Sequence, residues 1–113
     1  MHTEHGCLLR IFAGESDKHE GRPLYEWIVA QAHTQQLAGA TVYRGLMGFG
    51  AHTRVIHTFK IERLAEDLPM IIEIVDSREK LDGFLTFIEQ QIRSGLVATL
   101  QPIEIRTLEG RAQ

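Results

Sequence analysis

Six histidines are the first residues in this sequence that suggest a chemistry, because neutral imidazole is a common ligand of zinc and copper. His52 and His57 lie in one polar stretch and could reach the same cation, with a third ligand from another copy of the chain. A zinc site needs three or four converging ligands, and the sequence has neither paired cysteines nor the HExxH spacing. No metal is therefore expected, and His2 and His5 are expected to be disordered at the amino terminus.

Nucleophilic and acid/base chemistry has equally little support. Glu15 and Asp17 form a carboxylate pair in one loop, but a catalytic pair must be held in fixed geometry, so solvated charge is the better interpretation. Cys7 begins an apolar run, which favours a small buried hydrophobe over an activated thiol. GxSxG turns, Walker loops and dinucleotide fingerprints are absent from the sequence. We expect that the protein is not an enzyme, and a small enzyme of unknown reaction is kept only as an alternative.

Cationic side chains on two polar segments are candidate contacts for an anionic ligand or a protein partner. Solvated loop cations are the competing interpretation. The formal net charge is −3, with Lys and Arg spread along the chain, which argues against nucleic acid as a partner. The candidate contacts are Lys18, His19, Arg22, Arg44, His52, Arg54 and His57.

A glycine-rich segment lies within the second group of cations, between Arg44 and His52. Its glycines, Gly45, Gly48 and Gly50, stand at the end of a predicted strand and just after it, and they precede a stretch with no hydrophobic block of its own. This pattern predicts a long loop that exposes its backbone, in contrast to a tight hairpin. Because function concentrates in such loops, we expect it here.

Hydrophobic spacing predicts the elements that position these residues. Their order is strand, helix, strand, strand, helix, strand, which is the split βαβ pattern of α+β ferredoxin-like folds. It implies an antiparallel four-stranded sheet, two helices on one face, and a long loop between the second and third strands. The whole chain, 1–113, is expected to form one domain with an ordered core at about 6–108. The predicted strands are 7–13, 40–46, 70–75 and 96–108, and the predicted helices are 23–38 and 77–94, with Asp76 as the cap of the second helix.

With both helices on one side, the other face of the sheet is left bare. Leu9 and Ile11 are expected to face the helices. The remaining alternate positions form an apolar patch, which favours burial against other copies of the chain in a homo-oligomer. Arg10 and Glu73 would then have to pair, because an unpaired charge in such an interface costs several kcal/mol. The side chains expected on the open face are Leu8, Arg10, Phe12, Ile71, Glu73 and Val75.

Several multi-residue strings resemble the PII-like family, relatives of the nitrogen-regulatory PII signal proteins, and in particular a branch of small uncharacterised proteins. The similarity runs over nearly the whole chain. It implies a ferredoxin-like fold assembled as a homotrimer, with projecting loops and clefts between subunits. In PII proteins those clefts bind adenine nucleotides, and the loop docks onto a target protein. The strings are Gly14-Glu-Ser-Asp-Lys-His19, Gly21-Arg-Pro-Leu-Tyr25, Ala38-Gly-Ala-Thr-Val42, Arg44-Gly45, Gly48-Phe-Gly50 and Glu66-Asp-Leu-Pro69.

The resemblance also implies ligand-binding residues. In PII proteins, one of the matching segments lies against the adenine base of the nucleotide, and another forms the glycine turn from which the projecting loop starts. The PII pattern also has two arginines, two residues apart, on the last strand. In this chain Glu104 stands in place of one of these arginines, and the loop at 93–96, which in PII proteins grips phosphates, is short and lacks lysine. ATP bound in the PII manner is therefore disfavoured. A less charged adenine ligand, another anion and an empty cleft all stay open. The implied residues are Gly39, Ala40, Thr41 and Val42 for the base, Gly48, Phe49 and Gly50 for the turn, and Arg106 on the strand.

The leading hypothesis from the sequence is a trimeric regulatory or sensor protein. It binds a small ligand, such as an adenine nucleotide, between subunits, and its loop signals to a protein partner such as a transporter or an enzyme. A metal-binding trimer resembling the copper-tolerance relatives is the alternative. No apolar run is long enough to span a bilayer and no secretory signal is visible, so we expect a cytoplasmic protein that is not inserted in a membrane.

Overall fold

A computed structural model describes residues 1–48, 67–93 and 95–110. Four of its strands form one antiparallel sheet in the order β4-β5-β1-β6, and β2 and β3 form a separate small hairpin. The predicted α+β, ferredoxin-like class is confirmed. The elements are β1 (His2–Gly14), β2 (Lys18–His19), β3 (Arg22–Pro23), α1 (Leu24–Thr34), β4 (Gly39–Arg44), β5 (Pro69–Asp76), α2 (Arg78–Gln91) and β6 (Val97–Thr107).

The core lies between the two helices and one face of the sheet. Leu9 and Ile11 are almost fully buried there, as predicted, and Cys7 is a buried free thiol. Strand side chains alternate between faces and helix side chains recur every three to four residues, so each element buries one side. None of the described helices has the length and apolarity that crossing a membrane requires. The helices contribute Leu24, Trp27, Ile28 and Ala32 from α1 and Leu81, Phe84 and Ile88 from α2.

The helix ends differ from the prediction. Ser77, not Asp76, caps α2, because Asp76 is still part of β5 and the Ser77 hydroxyl accepts the Lys80 N–H at 3.3 Å. Pro23 belongs to β3 instead of the first turn of α1. That helix ends at Thr34, and Gln36 (φ 61°) adopts the left-handed conformation that turns the chain towards β4.

The first strand begins at His2, five residues earlier than predicted, because its amino-terminal half pairs with the end of β6. β5 stops opposite Cys7, so β1 and β6 continue alone as a two-stranded ribbon. The expectation that His2 and His5 are disordered is therefore wrong. Among the described strands β6 lies at an edge of the sheet, with Pro102 at its middle, a position where a missing N–H is tolerated.

The open face of the sheet carries a hydrogen-bonded network. Arg10 Nε donates to Glu73 Oε2 at 2.8 Å, which confirms the predicted ion pair. The Tyr43 hydroxyl donates to the same oxygen at 2.9 Å, and Arg10 Nη1 donates to Gln101 Oε1 at 3.3 Å. Since these residues lie on β1, β5, β4 and β6, the network crosses all four strands.

This network shifts the pKa values of its members. The hydrogen bond from Arg10, and then that from Tyr43, hold the pKa of Glu73 below its usual value. The Glu73 carboxylate in turn raises the pKa of the Tyr43 hydroxyl and of the Arg10 guanidinium. The arrangement therefore favours a charged Arg10–Glu73 pair with a protonated Tyr43.

We predict that acid weakens the fold partly through Glu73. Because the pKa of Glu73 is lower in the folded than in the unfolded chain, its contribution is complete above the unfolded pKa and is lost as pH falls through the folded pKa. The free energy of unfolding in urea should decline as the pH falls below about 4.5, the ordinary pKa of a glutamate side chain, and Glu73→Gln should make that decline smaller.

The matched control for this pH experiment is Glu79→Gln, since Glu79 is an exposed carboxylate in the first turn of α2. This variant should keep a larger share of the decline than Glu73→Gln does. Equal pH dependence of wild type and Glu73→Gln would contradict the prediction.

Candidate functional site

The β4 edge of the sheet is the first part of the candidate site. Gly39, Ala40 and Thr41 are exposed and Val42 is half-buried. Within the described residues β4 has a strand neighbour on one side only, so its outer backbone groups are open to a ligand. Nothing lies within 4 Å of where a Cβ on Gly39 would be. The segment predicted to lie against a base is thus an accessible strip of backbone.

Asp76 holds the beginning of this strip in place. Its Oδ2 accepts the Ala38 N–H at 2.9 Å, and its Oδ1 accepts the Ser77 N–H at 2.7 Å. One carboxylate therefore ties the chain before β4 to the chain before α2. Charge-assisted bonds of this kind are stronger than neutral ones, so the entry to β4 is well fixed.

The other end of β4 meets a junction built from three separate segments. Arg44 Nη2 lies 2.7 Å from Glu15 Oε2, and the Glu15 N–H donates to the Leu68 carbonyl at 2.8 Å. The backbone N–H and the hydroxyl of Ser16 both donate to Asp67 Oδ1, at 3.0 Å and 2.8 Å. The expectation that Glu15 is a freely solvated charge is therefore wrong. We call this cluster the loop-base junction, comprising residues 14–17, 44–48 and 67–69.

Asp17 also belongs to the junction and is not a free charge either. Its Oδ2 accepts the Gly14 N–H at 2.8 Å, and its own carbonyl accepts the Leu24 N–H at 2.8 Å. A Cβ on Gly14 would lie 3.0 Å from the Asp67 carboxylate and 3.4 Å from that of Asp17. Gly14 therefore allows two acidic side chains to approach the backbone, and both are used to fold the loop.

Gly45 and Pro69 join the two ends of the β4–β5 connection. The Gly45 N–H donates to the Pro69 carbonyl at 2.7 Å, and a Cβ on Gly45 would lie only 2.6 Å from Pro69 Cγ. Gly48 is also close to the Pro69 ring. Between these glycines Leu46 is 94% exposed and Met47 59% exposed. The turn thus holds two apolar side chains in solvent at a fixed place.

The predicted cations of the first loop lie on the β2–β3 hairpin. Glu20 (φ 52°) and Gly21 (φ 78°) both adopt positive φ, as the two central residues of a type I′ turn do. Lys18 and Arg22 are exposed. His19 instead packs edge-on against Trp27, with ring centroids 4.4 Å apart. The hairpin is therefore anchored to α1 through His19, which is not a free loop cation.

Arg106 lies on β6, at the edge of the sheet opposite to β4. The two edge strands are separated by three strand spacings, roughly 14 Å. Arg106 Nε also contacts Glu104 Oε1 at 2.9 Å, so this strand's carboxylate partly neutralises its arginine. Within one protomer the structure does not bring Arg106 together with Gly39–Val42.

A cleft of about 450 Å³ between the end of α2 and β6 was missed by the sequence reasoning. Its walls are mainly aliphatic, and Glu89 and Arg93 are its charged residues. The sequence did hold a sign of this cleft, because the apolar residues of α2 recur beyond the end of the helix, at Ile92 and Leu96. The aliphatic walls are formed by Ile11, Leu85, Ile88, Ile92, Leu96 and Ala98.

Five predicted site residues lie outside the described residues. Two of them, His52 and His57, are the histidines on which the metal hypothesis rests. Among residues 1–48, 67–93 and 95–110, no three His, Cys, Asp or Glu side chains are grouped as a metal site would need. The five predicted residues are Phe49, Gly50, His52, Arg54 and His57.

Comparison with known sequences identifies the family. The family model DUF190, described as "Uncharacterized ACR, COG1993", matches residues 6–105. A UPF0166 protein of Aquifex aeolicus is 39% identical over 98 residues, which cover 87% of this chain and 90% of that protein. A UPF0166 protein of Methanocaldococcus jannaschii is 37% identical over 91 residues, covering 80% and 82% respectively.

Solved structures share the fold at low sequence identity. A putative PII-like signalling protein of Thermus thermophilus superposes with a TM-score of 0.62 at 16% identity, covering 93% of both chains. CPII, a nitrogen regulatory PII-like protein of Thiomonas intermedia bound to ADP, AMP and bicarbonate, gives 0.54 at 19% identity, covering 92% of this chain and 91% of that one. The same protein bound to ADP, AMP and acetate gives 0.57 at 18% identity, covering 95% and 94%.

These similarities confirm the resemblance to a PII-like branch. The described residues of the strings that carry it lie at the β4 edge, on the β2–β3 hairpin and at the loop-base junction, so they mark parts of one arrangement. The chain belongs to the DUF190 (UPF0166) family and has the fold of PII-like signalling proteins.

Proposed function

We propose that this protein is a regulatory PII-like protein that assembles as a homotrimer and binds an adenine nucleotide between subunits. The β4–β5 connection then transmits ligand occupancy to a protein partner, such as a transporter or an enzyme. The observation that carries this proposal is the position of Gly39–Val42, an exposed strip of backbone on the edge strand that leads directly into the loop-base junction.

The geometry of the single chain favours a site completed by a second subunit. Gly39–Val42 and Arg106 lie on opposite edges of the sheet, so the two candidate regions meet only if the β4 edge of one copy approaches the β6 edge of another. The aliphatic cleft beside β6 would offer a surface for the base of a nucleotide in such an arrangement. CPII, a structural neighbour, binds ADP and AMP, which supports an adenine ligand.

The charges around the site favour a nucleotide with few phosphates. Arg106 already contacts Glu104, and Arg44 already contacts Glu15. A carboxylate about 4 Å from a phosphate costs on the order of 1 to 4 kcal/mol, depending on how exposed the site is. AMP or ADP therefore fits the described cations better than ATP does.

The assembly is tested by light scattering on the purified protein. The expected mass is three times the 12.8 kDa of one chain. This oligomer should persist on dilution to micromolar concentration, because the open face of the sheet is an apolar patch in the single chain. A stable monomer at all concentrations would contradict the proposal.

The ligand is tested by a thermal-shift screen with AMP, ADP, ATP and cyclic AMP, followed by calorimetric titration. A ligand at 100 times its dissociation constant adds about 2.7 kcal/mol of stability, which raises the melting temperature measurably. Gly39→Val should abolish the response, because the new side chain would occupy the strip of backbone against which the ligand is proposed to lie. The fold of the single chain should stay intact, because nothing lies within 4 Å of a Cβ at this position.

The matched control for Gly39→Val is Gly83→Ala, another glycine whose Cβ position is open, but which lies on α2. Gly83→Ala should keep the full ligand response. A shift that survives Gly39→Val would place the ligand elsewhere, and no shift with any adenine compound would refute the adenine ligand.

Glu104 is predicted to select against additional phosphates. Glu104→Gln should free Arg106 and raise the affinity for ATP relative to AMP by about tenfold, since a change of 1.4 kcal/mol corresponds to that factor. Relative affinities come from calorimetric titration, with Glu79→Gln on α2 as the control. An unchanged ATP-to-AMP ratio in Glu104→Gln would show that β6 does not face the phosphates.

A further inference from the structure

The cleft between the end of α2 and β6 reaches into the core of a single chain. Ile11 and Ile88, which are 1% and 5% exposed, line it together with half-buried aliphatic side chains, and its volume is about 450 Å³. Ala98 pairs with Ile11 in the sheet, so a small side chain stands where β6 faces α2. Sites for small molecules commonly have volumes of about 300 to 1,000 Å³ and mostly apolar walls. The cleft therefore has the size and the walls of a small-molecule site.

The charged residues of this cleft have opposite signs. Glu89 lies in the last turn of α2 and Arg93 just beyond the end of that helix, and both are exposed. Within the part of the chain that the structure describes, neither of them forms an ion pair with another residue. The cleft thus presents one anion and one cation beside its aliphatic walls.

The end of α2 makes the two charged positions different for a ligand. The last turn of this helix carries no basic side chain, so the negative end of the helix dipole is not compensated from within the helix. Together with Glu89, this end favours a cationic group. Arg93 offers N–H donors in a planar fork that matches a carboxylate. A ligand suited to the cleft therefore carries an ammonium group, a carboxylate and an apolar body.

We propose that the cleft binds an apolar α-amino acid such as leucine, with its ammonium group at Glu89, its carboxylate at Arg93 and its side chain against the aliphatic walls. A simple carboxylic acid would leave Glu89 without a cation, and a simple amine would leave Arg93 without an anion. A polar side chain would lose water without gaining hydrogen bonds from aliphatic walls, which is unfavourable.

This inference goes beyond the proposed nucleotide function and does not depend on the homotrimer, because every residue that it uses belongs to one chain. It has a consequence for that function. A bound amino acid would occupy the aliphatic surface that is proposed for the base of a nucleotide, so leucine and AMP should exclude one another. The amino acid would then act as a second signal at the same site.

The ligand is tested by calorimetric titration of the full chain with L-leucine and three comparison compounds. Isocaproate lacks the ammonium group of leucine, isoamylamine lacks its carboxylate, and L-serine keeps both charges without an apolar side chain. Leucine should bind at one site per chain. Isocaproate and isoamylamine should each bind about three- to fivefold more weakly, as expected for the loss of one exposed charge contact. L-serine should give no measurable binding.

Variants of the chain assign the contacts. Glu89→Gln should weaken leucine binding by about three- to fivefold without weakening isocaproate, and Arg93→Gln should do so without weakening isoamylamine. Ala98→Leu should abolish binding of all three compounds, because the larger side chain fills the cleft. Glu79→Gln, at the other end of α2, is the matched control and should bind leucine like the wild type. Circular dichroism should show that each variant is folded.

Three results would overturn the inference: no binding of leucine by the wild type at millimolar concentration, equal affinity for leucine and isocaproate, or full leucine binding by folded Ala98→Leu. The nucleotide is judged separately by titration with AMP. Binding of AMP without binding of leucine would overturn this inference alone. Binding of leucine without binding of any adenine compound would support it and refute the adenine ligand.

Discussion

The hydrogen bond from Arg10 to Glu73 is the contact on which the open face of the sheet depends. Within the part of the chain that the structure describes, two helices cover one side of the four-stranded sheet and no element covers the other side. An isolated charge among Leu8, Phe12 and Val75 would be costly to cover, whereas a paired charge is nearly neutral in energy. The pair thus keeps two charged residues on a surface that is otherwise suited to burial.

The same network also links the open face to the candidate ligand site. Tyr43 reaches Glu73 from β4, the strand that carries Gly39–Val42, so the central ion pair and the edge strand are held together by a side-chain bond as well as by the backbone ladder. At its far end β4 runs into the loop-base junction. There the partly exposed Glu15–Arg44 pair contributes little stability by itself. The backbone bond between Gly45 and Pro69 and the double contact of Ser16 with Asp67 do more to fix the chain.

Sequence reasoning recovered the features that local spacing encodes. The alternation in β1 predicts that Leu9 and Ile11 face the helices and that Arg10 faces away from them. The expectation that Glu73 shares the face of Arg10 is confirmed by the register of β1 against β5. The helical spacing of Leu81, Phe84 and Ile88 predicts α2. These patterns depend on neighbours a few residues apart, so one sequence is enough to read them.

Other features depend on contacts between distant segments and were out of reach. Ser16 and Asp67 are 51 residues apart in the chain, so the sequence does not show that the loop at 14–17 packs against residues 67–69. Without that contact, Glu15 and Asp17 were interpreted as solvated charges. The amino-terminal half of β1 is polar, and only its pairing with β6 makes it a strand. Periodicity also fails to distinguish an edge strand from a central one, so the accessibility of Gly39–Val42 required the strand order.

Pro102 has a consequence for solubility. An exposed edge strand as long as β6 offers a template on which foreign strands can add, the first step towards fibrous aggregates. A proline in its middle cannot donate a backbone hydrogen bond, so a continuous ladder cannot grow outward along that edge. Pro102 thereby protects the β6 edge against open-ended growth of the sheet.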